Sequence, residues 1–169
     1  MLELGKSGSH GTPRGTVPVL SEDAVVATLQ ASNRKEAATA LVGERTWVFD
    51  KQNGVLMGRW EADPAGTARL RARQTSWWKG TWVVELEGVV LEMGSSSWWR
   101  GTHRYIAGDR TVAESGTTGG WPPRSTLTAA EEVPLAAQVF LLWLELLITR
   151  RNNAAITGAT TAAVIGGTS

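Results

Sequence analysis

Short runs of apolar and β-branched residues, separated by turn residues, fill most of the chain between residues 15 and 130. Within these runs apolar and polar positions tend to alternate, which is typical of a strand with one buried face. Gly, Asn, Asp and Pro separate the runs, so we expect consecutive runs to pair as antiparallel hairpins. The predicted strands cover residues 16–20, 24–29, 37–42, 46–51, 55–61, 67–73, 82–86, 89–93, 103–107, 110–115 and 124–129.

The alternation is clearest from residue 67 to residue 73 and in an internal repeat that follows. Ala68, Leu70 and Ala72 are expected on one face of the first run, and three arginines lie on the other. Residues 76–81, SWWKGT, recur 21 positions later as residues 97–102, SWWRGT. Duplicated hairpins of this size are typical of meandering barrels. In the strands that follow the two copies, one face is expected to carry Trp82, Val84, Leu86, His103, Tyr105 and Ala107.

The last apolar segment, residues 134–149, differs from the others because it has no polar face. Its Leu and Ala residues favour helix, and Pro134 suits a first helical turn. Arg150 and Arg151 close the segment and oppose the negative end of the helix dipole. A helix that is apolar all round is buried in protein or in lipid. The residues expected to form its core-facing surface are Leu135, Val139, Phe140, Leu142, Trp143, Leu146 and Leu147.

Two environments fit this helix, a membrane and the interior of a barrel. A span needs about 20 apolar residues, whereas this run has about 16 and contains Gln138 and Glu145. A sheet of many strands tends to close, and a wide barrel needs something to fill it. We therefore predict an all-β protein with one helix, a closed antiparallel β-barrel around a buried hydrophobic C-terminal helix. The barrel is expected over residues 15–151 with its helix over about 133–151, a disordered segment over 1–14 and a flexible tail over 152–169.

Charge and composition narrow the candidate chemistry. The 17 Lys and Arg residues nearly balance the 16 Asp and Glu residues, so any basic site must be local, and we expect no nucleic-acid partner. The chain has no cysteine, and its two histidines are far apart in sequence, so we expect neither a metal nor a cofactor. The first nine residues lack the apolar run of a secretory signal, and we expect a cytoplasmic protein.

A row of cations is the first candidate site. Alternation places three arginines on one strand face, and arginine binds phosphate through two parallel hydrogen bonds. The alternative, which we favour, is a solvated strand face whose arginines pair with Glu61, Glu85 or Glu87 across strands. The candidate residues for binding an anion or a lipid headgroup are Arg69, Arg71, Arg73, Lys79 and Arg100.

The tryptophan pairs of the repeat are the second candidate site. Trp beside a cation at a barrel rim suits a membrane interface, and a Trp-lined rim also suits stacking on sugars or bases. The alternative, again favoured, is that one Trp of each pair faces the core and the other covers a strand end. The candidate interface residues are Trp77, Trp78, Trp98 and Trp99.

Buried polar groups offer little sign of catalysis. Glu145 lies in the apolar helix and is expected near a barrel mouth or in a pair, with Arg104 or Arg124 as partner. His103 lies in an alternating strand with no nucleophile or carboxylate constellation around it, which favours a structural histidine. We find no paired carboxylates and no nucleophile with a base, so the sequence predicts a protein without enzymatic activity.

The order of the short strands, the turn glycines, residues 105–115 (YIAGDRTVAES) and the helix over 133–151 resemble the tubby C-terminal-domain-like superfamily. That superfamily includes tubby, phospholipid scramblases and LURP-one-related proteins. The resemblance implies a barrel of about twelve antiparallel strands threaded by a central C-terminal helix. Tubby-like domains bind phosphoinositides, so one hypothesis is peripheral binding of anionic phospholipid headgroups at a membrane surface. The alternatives are a structural or protein-interaction domain with no small ligand, and a protein anchored in the membrane by its 134–149 helix. The oligomeric state stays open.

Overall fold

The computed structural model describes residues 1–97 and 100–165, with the side chains of the helix described as far as Gly158. It contains twelve strands and one helix. In chain order these are β1 (Leu2–Leu4), β2 (Val17–Ser21), β3 (Ala24–Ala31), β4 (Ala38–Val42), β5 (Arg45–Gln52), β6 (Val55–Trp60), β7 (Leu70–Ser76), β8 (Thr81–Leu86), β9 (Val89–Ser97), β10 (Thr102–Ala107), β11 (Arg110–Thr118), β12 (Arg124–Ala129) and α1 (Leu135–Ile165).

The strands form one closed antiparallel barrel in which each strand pairs with its neighbours in the chain. Closure depends on β1, which lies between β12 and β2. Leu2 is paired with Leu127 on one side and with Ser21 on the other. The prediction of a closed antiparallel barrel of about twelve strands around one C-terminal helix is therefore confirmed.

The alternation in the sequence sorts side chains between the barrel interior and its outer wall. In β7, Leu70 and Ala72 are fully buried, while Arg71 and Arg73 are exposed. In β8, Trp82, Val84 and Leu86 point inward in the same way. The expected faces of these two strands are thus the observed ones, because a period of two fixes each side chain to one surface of the sheet.

Helix α1 fills the barrel with its first half. Val139, Phe140, Leu142 and Trp143 have no solvent exposure, and Leu147 is 3% exposed. Leu135 and Leu146 are half-buried and pack against the same core. Aromatic rings pack between the helix and the barrel wall. The ring centroid of Phe49 in β5 lies 5.4 Å from that of Phe140 and 5.3 Å from that of Trp143.

The alternative in which residues 134–149 leave the body as a membrane anchor does not fit this arrangement, since the barrel encloses them. Within the part of the chain that the structure describes, no helix has both the length and the apolarity that a membrane span requires.

The N-terminus corrects one expectation. Residues 1–14 were expected to be disordered, but β1 completes the barrel, and Leu2 and Leu4 are each 5% exposed. The amide of Gly5 donates to the carbonyl of Pro18 and the amide of Gly8 to that of Thr16, which holds the following loop. A three-residue strand gives too short an alternation to be distinguished from a loop in the sequence.

The C-terminus corrects a second expectation. The helix does not end at Arg151 but continues to Ile165, through residues that were expected to form a flexible tail. Alanine is frequent in this segment, and alanine has the highest helix propensity. The side chains of residues 152–158 are exposed, so α1 projects beyond the barrel. Residues 166–169 of the expected tail lie outside the described residues.

Because consecutive strands are antiparallel, the connections alternate between the two ends of the barrel. We call the end where α1 begins the acidic mouth and the end where α1 leaves the barrel the basic mouth. The acidic mouth carries residues 22–23, 43–44, 61–69, 87–88, 108–109 and 130–134. The basic mouth carries residues 5–16, 32–37, 53–54, 77–80, 100–101 and 119–123.

Candidate functional site

The charges of the chain are divided between the two mouths, although their total is nearly zero. At the acidic mouth, carboxylates outnumber cations. They are Glu22, Asp23, Glu44, Glu61, Asp63, Glu87, Asp109, Glu131 and Glu132, against Arg45, Arg59, Arg69 and Arg110. At the basic mouth the ratio is reversed. The residues there are Lys6, Arg14, Arg34, Lys35, Lys51, Lys79, Arg100, Arg124, Arg150 and Arg151, against Glu3, Glu36 and Asp50.

Cations at the acidic mouth are engaged by neighbouring groups. The Arg69 guanidinium donates to both carboxylate oxygens of Asp63, at 2.7 and 2.9 Å. This hydrogen bond holds the pKa of Asp63 below its ordinary value and raises that of Arg69. The guanidiniums of Arg69 and Arg45 lie 3.8 and 3.9 Å from the ring centroid of Trp60. Arg110 forms an ion pair with Glu132. The cations of this mouth therefore stabilise its loops.

Cations at the basic mouth are less compensated. Glu36 accepts from both Arg151 (2.5 Å) and Lys51 (2.6 Å), so one carboxylate serves two cations. The hydrogen bond from Arg151, followed by that from Lys51, lowers the pKa of Glu36. Among the ion pairs of the described residues, none involves Lys79 or Arg100. These two cations remain available to an external anion.

Large aromatic side chains are exposed at the same mouth. Trp77 and Trp78 in the β7–β8 loop are 73% and 87% exposed, and their rings contact each other at 4.4 Å between centroids. Trp121 in the β11–β12 loop is 94% exposed. For the first pair, the expectation that one Trp faces the core is wrong. Both rings lie in the loop, and the first inward side chain of the following strand is that of Trp82. Trp98 and Trp99 lie outside the described residues.

A cavity of about 340 Å³ opens at the basic mouth beside the emerging helix. Its floor includes His103 and Trp82, and its rim includes Trp77, Trp78 and Lys79. The remaining wall is formed by Gln74, Gly80, Ser95, Gly101, Ile148, Arg151, Asn152 and Ala155. The described lining carries cationic, neutral polar and aromatic side chains and no carboxylate.

A buried hydrogen-bond network lies below this cavity. The hydroxyl of Tyr105 donates to Oε1 of Glu145 at 2.6 Å, and Nδ1 of His103 lies 2.8 Å from Oε2. Burial, with the charge of Glu145, raises the pKa of Tyr105 well above its ordinary value, so the hydroxyl keeps its proton. These two partners satisfy the hydrogen-bonding capacity of a carboxyl group that would otherwise be costly to bury.

This network corrects the expected partners of Glu145. Arg104 points to the outer wall and lies 3.4 Å from Glu114, and Arg124 lies 2.7 Å from Glu3. The inward positions of β10 belong to His103 and Tyr105, because side chains alternate along the strand. The sequence predicted that these two residues share a face but did not connect that face to Glu145.

The predicted cations do not form one site. Arg69 lies at the acidic mouth, Arg71 and Arg73 are on the outer wall, and Lys79 and Arg100 are at the basic mouth. Arg71 is directly opposite Glu85 in the β7–β8 pair, with 3.5 Å between guanidinium and carboxylate. The alternative of a solvated, charge-paired strand face therefore describes Arg71. Arg69 pairs with Asp63, a partner other than the three glutamates expected from the sequence.

Several residues of the basic mouth were missed in the sequence. Trp121 stands alone in a Gly and Pro loop and was not linked to the other tryptophans. Arg150 and Arg151 were assigned to the helix end, whereas Arg150 donates to the carbonyl of Ser32 at 2.8 Å and Arg151 lines the cavity. In a predicted hairpin series, every second connection lies at the same end. Counting the charges of each set of connections would have revealed that the two ends of the barrel differ in charge.

The arrangement can bind anions and stack on flat or apolar groups. Within residues 1–97 and 100–165, no group of three or more His, Cys, Asp or Glu side chains could hold a metal ion. The tubby-like resemblance stays a prediction. Comparisons with protein-family models, with curated proteins and with solved structures found no match to this chain.

Proposed function

We propose that the protein is a non-enzymatic module that docks its basic mouth on an anionic membrane surface. The observation that carries this proposal is the joint exposure of cations and tryptophans at one end of the barrel. Lys79 is adjacent in sequence to the exposed pair Trp77 and Trp78, and Arg100 holds the corresponding position in the second copy of the repeat.

The physical reason is additive attraction. Each Lys or Arg near an anionic bilayer contributes about 1 kcal/mol, and Trp rings favour the headgroup region. The opposite mouth is acidic and would be repelled, so the charge polarity of the barrel also orients the approach.

The outer-wall arginines do not belong to this surface. Arg73 lies three residues before Ser76 at the end of β7, about 10 Å from the rim at roughly 3.3 Å per residue. A flat bilayer that touches the basic mouth is therefore out of reach of Arg73 and farther from Arg71. The lipid hypothesis is thus moved from the arginine row to the mouth.

Vesicle flotation tests the proposal. Wild-type protein is expected to float with vesicles containing phosphatidylglycerol and not with pure phosphatidylcholine, and high salt should weaken the binding. The double variant Lys79→Gln, Arg100→Gln removes about 2 kcal/mol of attraction and should weaken partition roughly 30-fold. The matched control is Arg45→Gln, Arg110→Gln, which removes the same charge from the acidic mouth and should leave partition nearly unchanged.

Two results would contradict the proposal. Equal weakening by the two double variants would mean that net charge, and not the basic mouth, drives binding. Absence of flotation at low salt would remove the lipid role. It would favour the alternative, a protein-interaction domain whose exposed tryptophans contact a partner.

A further inference from the structure

We propose that the cavity of the basic mouth is a binding site for a phosphorylated polyol, whose hydroxyl forms a hydrogen bond with Nε2 of His103 and whose phosphate lies beside Lys79 and Arg151. The inference rests on the proposed function, because it names the headgroup chemistry that the same mouth would select. Glycerol phosphate has this chemistry, either free or as the headgroup of phosphatidylglycerol.

The orientation of the His103 ring is held by the network beneath it. Tyr105 is fully buried and keeps its proton, so its hydroxyl donates to one oxygen of Glu145. The other oxygen faces Nδ1 of His103 at 2.8 Å. Opposite an ionised Glu145, Nδ1 carries a proton, because a carboxylate only accepts hydrogen bonds; Nε2 then carries a lone pair in the neutral ring and an N–H in the protonated ring. A hydroxyl group matches Nε2 in either state, since it can donate to the lone pair or accept from the N–H.

Nε2 is available from the cavity. His103 is 9% exposed and lines the cavity floor. No hydrogen bond among the described residues uses Nε2. Nε2 is also not among the fully buried side-chain nitrogen and oxygen atoms that lack a hydrogen-bond partner, so this nitrogen is accessible from the cavity. A polar atom on a nine-tenths-buried side chain that faces open space is a position where a ligand group gains most from a hydrogen bond.

The cations are placed for a phosphate. Lys79, on the rim, takes part in no ion pair among the described side chains. Arg151 is held in the wall by Glu36 and by the ring of Trp82, whose centroid lies 5.2 Å from the guanidinium carbon. Since Lys51 shares Glu36, the cluster of three groups keeps one net positive charge. An anion is therefore attracted to this side of the cavity.

Size and surface also fit. A volume of about 340 Å³ is at the small end of ligand sites. The tryptophan faces at the floor and rim suit the C–H groups of a polyol, and Ser95 and Gln74 add neutral polar groups.

Titration with free glycerol 1-phosphate, followed by NMR of the indole and imidazole signals, tests the site directly. Saturable shifts at Trp82 and His103 are expected. His103→Asn keeps an N–H donor near the position of Nδ1 but removes Nε2, and should weaken binding about tenfold, the value of one hydrogen bond. Lys79→Gln, at an exposed position, should also weaken binding and serves if the His103 variant fails to fold. Arg104→Gln, which removes the neighbouring outward cation, should have no effect.

Vesicles separate the two sources of the ligand. With phosphatidylglycerol and phosphatidylserine vesicles of equal charge, wild-type protein should prefer phosphatidylglycerol if the lipid headgroup is the ligand. His103→Asn should then bind the two kinds of vesicle equally, because only the charge-driven binding remains. Saturable binding of free glycerol phosphate without any vesicle preference would still support the site and assign it to a soluble ligand.

The inference is overturned if wild-type protein neither binds glycerol phosphate nor distinguishes the two lipids, or if His103→Asn binds like wild type. Charge-driven flotation in those cases would leave the proposed function standing. Loss of flotation with glycerol phosphate binding intact would have the opposite meaning, since the site would survive and membrane docking would not.

Discussion

The two mouths of the barrel are built from the same series of hairpins but use their charges differently. At the acidic mouth, Asp63 and Glu132 are paired with Arg69 and Arg110. At the basic mouth, Lys79 is unpaired among the described residues and lies beside two exposed tryptophans. The comparison teaches that the cations of the acidic mouth fix its loops, whereas the basic mouth also has cations that are available for binding.

Hairpin alternation explains how a nearly neutral chain becomes polar. In an antiparallel meander every second connection lies at the same end. If odd-numbered connections carry more cations than even-numbered ones, the two ends of the barrel therefore differ in charge. They do so here, although the net charge of the whole chain is only +1. This arrangement makes local charge at a mouth more informative than total charge.

The largest effect on stability is expected in the part of α1 that fills the barrel between the two mouths. Phe140→Ala should lower the free energy of unfolding by about 3–5 kcal/mol, since it leaves a cavity between Phe49 and Trp143. Urea denaturation measures this loss. The control Thr149→Ala changes an exposed position of the same helix and should stay within about 0.5 kcal/mol of wild type. Similar stabilities for the two variants would contradict the barrel-core role of the helix.

A smaller effect is expected in the network below the basic mouth. Tyr105→Phe removes a donor from the buried carboxylate of Glu145 and should cost about 1–3 kcal/mol at neutral pH. The same urea assay measures it. His103 should then shift in NMR spectra, because its partner has lost a hydrogen bond.

The same residue predicts an alkaline dependence of stability. The pKa of Tyr105 is raised on folding, so its contribution is complete below the unfolded pKa of about 10 and is lost as pH rises above it. Tyr105 is the single tyrosine of the chain, so phenolate absorbance reports it alone. Native protein should show no phenolate signal as the pH rises above the unfolded pKa of about 10, until it unfolds. Ionisation without unfolding would contradict the buried network.

The comparison of the mouths predicts different costs for removing a cation. Arg69→Gln should lower the urea midpoint measurably, because it loses Asp63 and the face of Trp60. Lys79→Gln should leave the midpoint unchanged while weakening vesicle binding. Equal midpoints for the two variants would remove the distinction between a structural and a binding role.

The smallest effect is expected on the acid side. The Arg69 hydrogen bond lowers the pKa of Asp63, so its contribution is present above the unfolded pKa of about 4 and is lost as pH falls through the lower folded pKa. In Asp63→Asn, the free energy of unfolding should therefore fall less steeply than in wild type between about pH 4 and pH 2. Glu36→Gln tests the corresponding group at the basic mouth, where the same sign applies. If both variants lose stability at acid pH as wild type does, neither the Asp63–Arg69 pair nor the Glu36–Arg151 pair is maintained in solution.

Much of the fold follows from local patterns in the chain. The strand from Leu70 to Ser76 shows its buried face as an alternation, and a helix without a polar face implied that something encloses it. Strand β1 escaped prediction because three residues give no period, and the helix beyond Arg151 escaped because Gly158 and the Thr residues weaken its propensity. The site was harder to predict, since Glu145 lies 40 or more positions from its partners in the sequence.

By itself, the sequence determined which residues alternate, which segment is apolar all round and where the turns occur, because these depend on neighbours along the chain. Only the tertiary structure decided that Glu145 meets His103 and Tyr105, that Arg69 and Lys79 lie at opposite ends, and that Arg151 lines a cavity. Such contacts join distant segments, and their geometry is set by closure of the barrel and by the depth at which α1 lies inside it.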